Sequence, residues 1–162
     1  MYGQMNPQVD PVLQREILRR ALESRQNVLL AVVGGLIGAV VGAAAWAVVT
    51  VLTEFQIGFM AVGVGWLVGQ LTWRFGRGLS PSYGAVGAVF AVLGCLVGNV
   101  LSACHFASQI PELEATFWQL AGSFNFGLYW ELIKITFSPI DVLFYLIALY
   151  EGWRFSFRNL AI

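Results

Sequence analysis

The sequence predicts an all-α, polytopic membrane protein. It has four transmembrane helices, an N-terminal amphipathic helix, and short interfacial helices between spans three and four. Three observations carry this prediction. Hydrophobic residues make up 58% of the 162-residue chain and charged residues only 11%, against about 25% charged in a typical soluble domain. Several apolar runs exceed the roughly 18 residues that mark a span, and mean hydropathy is +0.73. The runs are continuous, which excludes a membrane β-barrel, whose strands alternate apolar and polar. The third observation is the placement of charge, which follows from the order of the elements.

Residues 1–27 form a cytoplasmic lead. The first ten (MYGQMNPQVD) are polar, and Asp10-Pro11 is a helix start, with Asp as N-cap and Pro at the first helical position. Leu13, Ile17, Leu18, Ala21 and Leu22 recur near helical spacing, with Arg15, Glu16, Arg19 and Glu23 mostly on the other side. Such a helix lies at the membrane surface; a plain charged lead-in to the first span is the alternative.

The membrane domain is 28–158, with spans at about 28–53, 57–73, 83–105 and 140–153. Span one has no ionisable residue and, at about 39 Å, is longer than the ~30 Å hydrocarbon core, so it is expected to tilt or protrude. Ala43-Ala44-Ala45 offers a small-residue cleavage site, but the charged lead is too long and the apolar run continues past it, so an uncleaved anchor is expected. TEFQ is so short that spans one and two must be antiparallel neighbours. Ser80-Pro81 is another cap-plus-proline start before span three.

Residues 107–138 form an outer interfacial segment. A short helix is expected from Pro111, with Glu112 and Glu114 in its first turn and Leu113, Phe117 and Leu120 on its apolar face. GSFNFG breaks it. LYWELIKITF follows as a second interfacial helix with Glu131 and Lys134 paired at i,i+3. Ser138-Pro139-Ile140-Asp141 fits the Ser-x-x-Asp capping pattern before span four. Residues 159–162 are a C-terminal tail.

Of the basic residues, Arg15, Arg19, Arg20, Arg25, Arg74, Arg77, Arg154 and Arg158 fall on one side of this layout, and only Lys134 on the other. Eight against one is a strong positive-inside signal, so both termini are expected in the cytoplasm. Glu54, Glu112, Glu114, Glu131 and Asp141 fall outside. Spans one and three both start inside and are both rich in Gly and Ala; a parallel repeat of two hairpins or shared composition alone explains this.

CLVGNVLSACHF, residues 95–106, holds both cysteines and the single histidine. On a straight helix Cys95 and Cys104 point to roughly opposite faces, about 13 Å apart along the axis. They cannot share a metal or form a disulfide within the chain. Cys104 and His105 diverge by about 100°. No metal site and no cofactor is implied. Asn99 is more informative, because lipid offers its amide no partner. Gly94, Gly98 and Ser102 form a small-xxx-small face beside it; Gly34, Gly38 and Gly42 do the same in span one, and Gly65 and Gly69 in span two. Such faces serve packing within one bundle or self-association. Glu151 is expected to pair with Arg154 or Arg74, with snorkelling at the interface as the alternative.

No ionisable residue lies near mid-depth in spans one to three, which counts against proton-coupled transport. Phosphate loops, nucleophile elbows and HExxH are absent, so an enzyme is not expected. The basic residues are too few for nucleic acid. The stretches 54–69 (EFQIGFMAVGVGWLVG), 74–99 (RFGRGLSPSYGAVGAVFAVLGCLVGN) and 137–158 (FSPIDVLFYLIALYEGWRFSFR) resemble a family of small bacterial inner-membrane proteins of uncharacterised function. The likeness covers about 50–158. It implies a bacterial inner membrane and the four-span layout, and it supplies no activity or site residue.

Two functions are compatible with these features. One is a non-catalytic membrane subunit or scaffold that assembles through its glycine faces, as a homo-oligomer or within a larger membrane complex. The other is a homo-oligomeric channel for a small ion or solute, lined by Asn99, Ser102, Gln70 and Thr50. The channel requires these groups to face a common axis. The subunit requires them to satisfy each other inside one bundle.

Overall fold

Most helices begin where the sequence supplies a cap. In the computed structural model, which describes residues 11–54, 58–123 and 125–158, seven α-helices and one 3-10 turn are found among the described residues, with no strand. They are α1 (Pro11–Glu23), α2 (Val28–Thr53), α3 (Phe59–Gly76), α4 (Pro81–Ala107), the 3-10 turn Pro111–Leu113, α5 (Phe117–Ala121), α6 (Phe126–Thr136) and α7 (Pro139–Phe155). The expected Asp10 cap and the 159–162 tail lie outside the described residues.

Asn27 caps α2: its Oδ1 accepts the Leu30 N–H at 3.1 Å, while its own N–H donates to Gly76 O at 3.0 Å, tying the start of α2 to the end of α3. Asn27→Ala is therefore expected to cost about 1 kcal/mol, read as a lower thermal midpoint in detergent. Asn125 caps α6 in the same way, accepting the Leu128 N–H. The Ser-x-x-Asp pattern is present at α7, where Asp141 Oδ2 accepts the Ser138 N–H at 2.8 Å.

α2 and α4 are each long and apolar enough to cross a membrane. α6 and α7 reach that standard only as a pair, bent by 109° at their junction. Two to three candidate membrane spans follow from length and composition. The segment expected as span two is α3, shifted to 59–76, with Ile57 outside the described residues; its 18 residues reach about 27 Å, and Gln70 and Arg74 interrupt its apolar character. The segments expected at 83–105 and 140–153 are two residues longer at the start of one and at the end of both, as α4 and α7.

Four helices pack together. α2 lies against α3 and α4; α7 lies against the same two helices. α3 and α4 touch along the diagonal between them. Contacts at the glycines fix the directions. Gly34, Gly38 and Gly42 face Leu71, Val68 and Val64 in turn, so α2 and α3 are antiparallel. Gly94 and Gly98 face Ala39 and Trp46, so α2 and α4 are parallel. Gly84 faces Trp153 and Gly87 faces Gly152, while Gly65 faces Ala148 and Gly69 faces Gly152 and Phe155. Hence α7 runs against α4 and along α3. The core between these helices is built by Trp46, Ala61, Val64, Val68, Ala91, Cys95 and Ala148. The outward faces stay apolar and exposed, as at Leu29, Val33, Leu36 and Val40 of α2.

The outer segment differs from expectation at its start. Pro111 begins a single 3-10 turn, which ends at Glu114 with φ of 44°. The helix restarts at Phe117 because Thr116 and Gln119 form a capping box: the Thr116 N–H donates to Gln119 Oε1 at 2.9 Å, and the Gln119 N–H donates to Thr116 Oγ1 at 3.4 Å. The box overrides the proline as the start signal. α5 and α6 fold back on α4, burying Leu120 against Cys104 and Ala107, with Phe117, Leu128, Tyr129 and Leu132 around them. Lys134 donates to Glu131 Oε1 at 2.6 Å, the expected i,i+3 pair.

Candidate functional site

The polar residues proposed to line a pore do not share one level: Thr50, Asn99 and Ser102 lie toward one end of the bundle and Gln70 stands apart from them. The Asn99 amide donates to the Tyr145 hydroxyl at 2.5 Å, linking α4 to α7 inside the bundle. Ser102 donates to Gly98 O of its own helix at 2.9 Å. Thr50 is buried in the C-terminal half of α2. Gln70 is half-buried on α3 between Val68 and Thr72. By the pairings above, Gln70 is level with the Gly34–Gly38 stretch of α2, and Asn99 with Trp46. That separates them by about 15 Å along the bundle.

The glycine faces are occupied within the chain. Gly34, Gly38 and Gly42 hold α3; Gly65 and Gly69 hold α7; Gly94 and Gly98 hold α2. Assembly of separate chains through these faces is therefore not supported: they are the seams of one bundle.

The anticipated charge trio is dispersed. Among the described residues Glu151 makes no ion pair with Arg154 or Arg74, whereas Arg19–Glu23 and Glu131–Lys134 do pair. Glu151 packs toward Gly65 of α3. Arg154 turns outward, its guanidinium 5.5 Å from the Phe155 ring centre. Arg74 lies nearly two turns beyond Glu151, about 10 Å along the bundle.

The cysteines fall in separate surroundings. Cys95 is in the central core, and Cys104 lies beneath α5 and α6. His105 Nε2 accepts from the Gln109 amide at 2.9 Å, with its ring edge-on to Phe106 and Phe117.

Three features escaped the sequence reading. Asp141, counted among the acids that fall outside, is only 2% exposed; one oxygen caps α7 and the other makes no hydrogen bond among the described residues. Tyr145 is Asn99's partner, a pairing across 46 residues that no local pattern signals. The third is a groove of about 470 Å³ at the end of the bundle where α1, α3 and the residues after α7 meet, lined by Leu22, Arg25, Trp73, Arg74, Arg77, Leu79 and Arg158.

This groove is assembled by hydrogen bonds between distant segments. The Asn27 N–H donates to Gly76 O at 3.0 Å, and the Leu79 N–H to Gln26 Oε1 at 3.1 Å. The Arg158 N–H donates to Gly78 O at 3.1 Å. Three pieces of chain are thus stitched into one rim. The Arg158 guanidinium lies 3.8 Å from the centre of the Trp73 ring, a cation–π contact that fixes its position. An adjoining hollow shares Arg25, Arg74 and Arg77 and adds Ser24, Gln26 and Asn27. No carboxylate lines either one.

The fold and these contacts define an all-α protein with two to three candidate membrane-spanning helices, hence a multi-pass membrane protein by the length and composition of its helices. Comparison with protein-family models, curated proteins and solved structures finds no match to this chain.

Proposed function

We propose that this chain is a non-catalytic integral membrane subunit or scaffold of the bacterial inner membrane. α2, α3, α4 and α7 cross the bilayer as four spans, with both termini cytoplasmic. The eight-to-one asymmetry of basic residues supports the orientation. Trp118 and Phe126, respectively 80% and 83% exposed on the outer segment, suit the opposite membrane interface, where aromatic rings settle at headgroup level. The family resemblance of 50–158 agrees with this location.

The observation that carries the subunit reading is the Asn99–Tyr145 hydrogen bond. An amide within a span is engaged by a second helix of the same chain, which a self-contained bundle requires and a pore lining does not. The glycine seams add to this, because they close the helices on one another and not around an axis. Partners then dock on surfaces other than these seams.

Flux through liposomes tests the reading. Wild type and Asn99→Leu are both expected to pass no potassium, chloride or protons above empty vesicles. Asn99→Leu is expected to lose about 1–2 kcal/mol of stability with the interhelical bond. A wild-type flux that Asn99→Leu removes would overturn the subunit reading in favour of a channel.

A further inference from the structure

We propose that the arginine-lined groove at the inner end is a binding site for a phosphate-bearing anion. Arg25 comes from the α1–α2 connection, Arg74 and Arg77 from the end of α3, and Arg158 from beyond α7. Four arginines, solvent-exposed and charged at any physiological pH, line one hollow. Solvent screens their mutual repulsion only in part, and no carboxylate of the chain lines the hollow to offset it. The only acid of α1's last turn, Glu23, is engaged by Arg19 instead.

The positive-inside rule does not account for this geometry. It asks for basic residues near the cytoplasmic surface, not for their convergence. Arg15, Arg19, Arg20 and Arg154 satisfy the rule without lining the groove. The segments that carry the four lining it are joined by three hydrogen bonds within the chain, and Arg158 makes a cation–π contact. Planar guanidiniums bind phosphate oxygens in pairs. The groove's remaining walls, Leu22, Trp73 and Leu79, are apolar, which suits an anion carrying a hydrocarbon or ring portion. A phospholipid headgroup and a soluble phosphate ester share this chemistry. The lipid source rests on the cytoplasmic orientation proposed above; the soluble source does not.

The test is a thermal-midpoint titration of the full chain in neutral detergent. One arm adds phosphatidylglycerol, a second adds inorganic pyrophosphate, and a control adds phosphatidylcholine. Anion binding raises the midpoint with concentration. Arg25→Gln/Arg74→Gln, which leaves the Arg158–Trp73 contact in place, is expected to raise the half-saturating concentration about tenfold or more. Arg15→Gln/Arg20→Gln removes the same charge outside the groove and is expected to change it less than about twofold. A shift with phosphatidylglycerol alone identifies a lipid headgroup, and a shift with pyrophosphate a soluble phosphate. Equal shifts with phosphatidylcholine, no shift in either anion arm, or equal losses in the two variants would each overturn the proposal. A midpoint for Arg25→Gln/Arg74→Gln within a few degrees of wild type without additive confirms that the variant is folded; if it is not, Arg25→Lys/Arg74→Lys, which keeps the charge but not the paired geometry, is expected to weaken the shift as well.

Discussion

Gly152→Leu is expected to loosen the α4–α7 seam and to destabilise the bundle strongly. A Cβ at this position would lie 2.6 Å from Gly87 O and 2.7 Å from the Ala91 Cβ. Backbone oxygen cannot rotate away, so α4 and α7 must move apart around this contact. Overpacking of this kind costs about 3 kcal/mol, at the upper end of its usual range, because no flexible side chain absorbs it. Alanine at 152 already meets the same atoms. The measurement is the thermal midpoint together with the elution profile in detergent. Gly63→Ala is the control: nothing lies within 4 Å of its Cβ position, and alanine there is expected to stabilise α3 by about 0.4–1 kcal/mol. If Gly152→Leu kept a wild-type midpoint and profile, the α4–α7 seam described here would be wrong.

The second large effect is expected at Trp46. Its side chain is 0% exposed and fills the junction where α2 meets Gly98 of α4. In a bilayer the separated helices face lipid rather than water, so the transfer contribution to helix association largely vanishes. What remains is the loss of dispersion contacts around the cavity. Trp46→Ala is therefore expected to cost about 3 kcal/mol, the lower end of the range for large aromatics in water-soluble cores. Trp46→Phe is expected to cost much less, because it retains most of the ring and removes an indole N–H that has no hydrogen-bond partner among the described residues. The pair is compared by thermal unfolding in the same detergent. A Trp46→Ala loss no larger than that of Trp46→Phe would show that the side chain is not a packing centre.

The local signals in the sequence were reliable where one short stretch decided the outcome. Ser80-Pro81 and the Ser138–Asp141 pattern each start a helix where expected, whereas the Asn27 and Asn125 caps were not anticipated. Glu131 and Lys134 meet because i,i+3 is a fixed distance on a helix. The failure at Pro111 has the same local character: a proline start competed with the Thr116–Gln119 capping box, and the box satisfied two more backbone groups. The Glu151–Arg154–Arg74 grouping failed for a different reason. It needed the depth of α3 relative to α7, which their glycine contacts set and no single helix reveals.

Asp141 shows how burial evades composition. A carboxylate one turn into a helix at the outer end reads as solvated. Its exposure is instead decided by the packing of α7 in the bundle. The groove is a parallel case. Arg74 and Arg77 are close in sequence, but Arg25 and Arg158 reach them only because residues 26–27, 76–79 and 158 are hydrogen-bonded to one another.

By itself the sequence determined that this protein is all-helical, that long apolar helices dominate it, and where α1, α2, α4 and α7 begin. Those properties depend on the apolar content of single runs and on caps within four residues, so they are written locally. Only the tertiary structure decided that the glycine faces close one chain upon itself, that Asn99 meets Tyr145, and that four arginines line one hollow. Each of these depends on which helix lies beside which and at what height. That is set by the closest approach the backbones allow, a property shared between helices and carried by none of them alone.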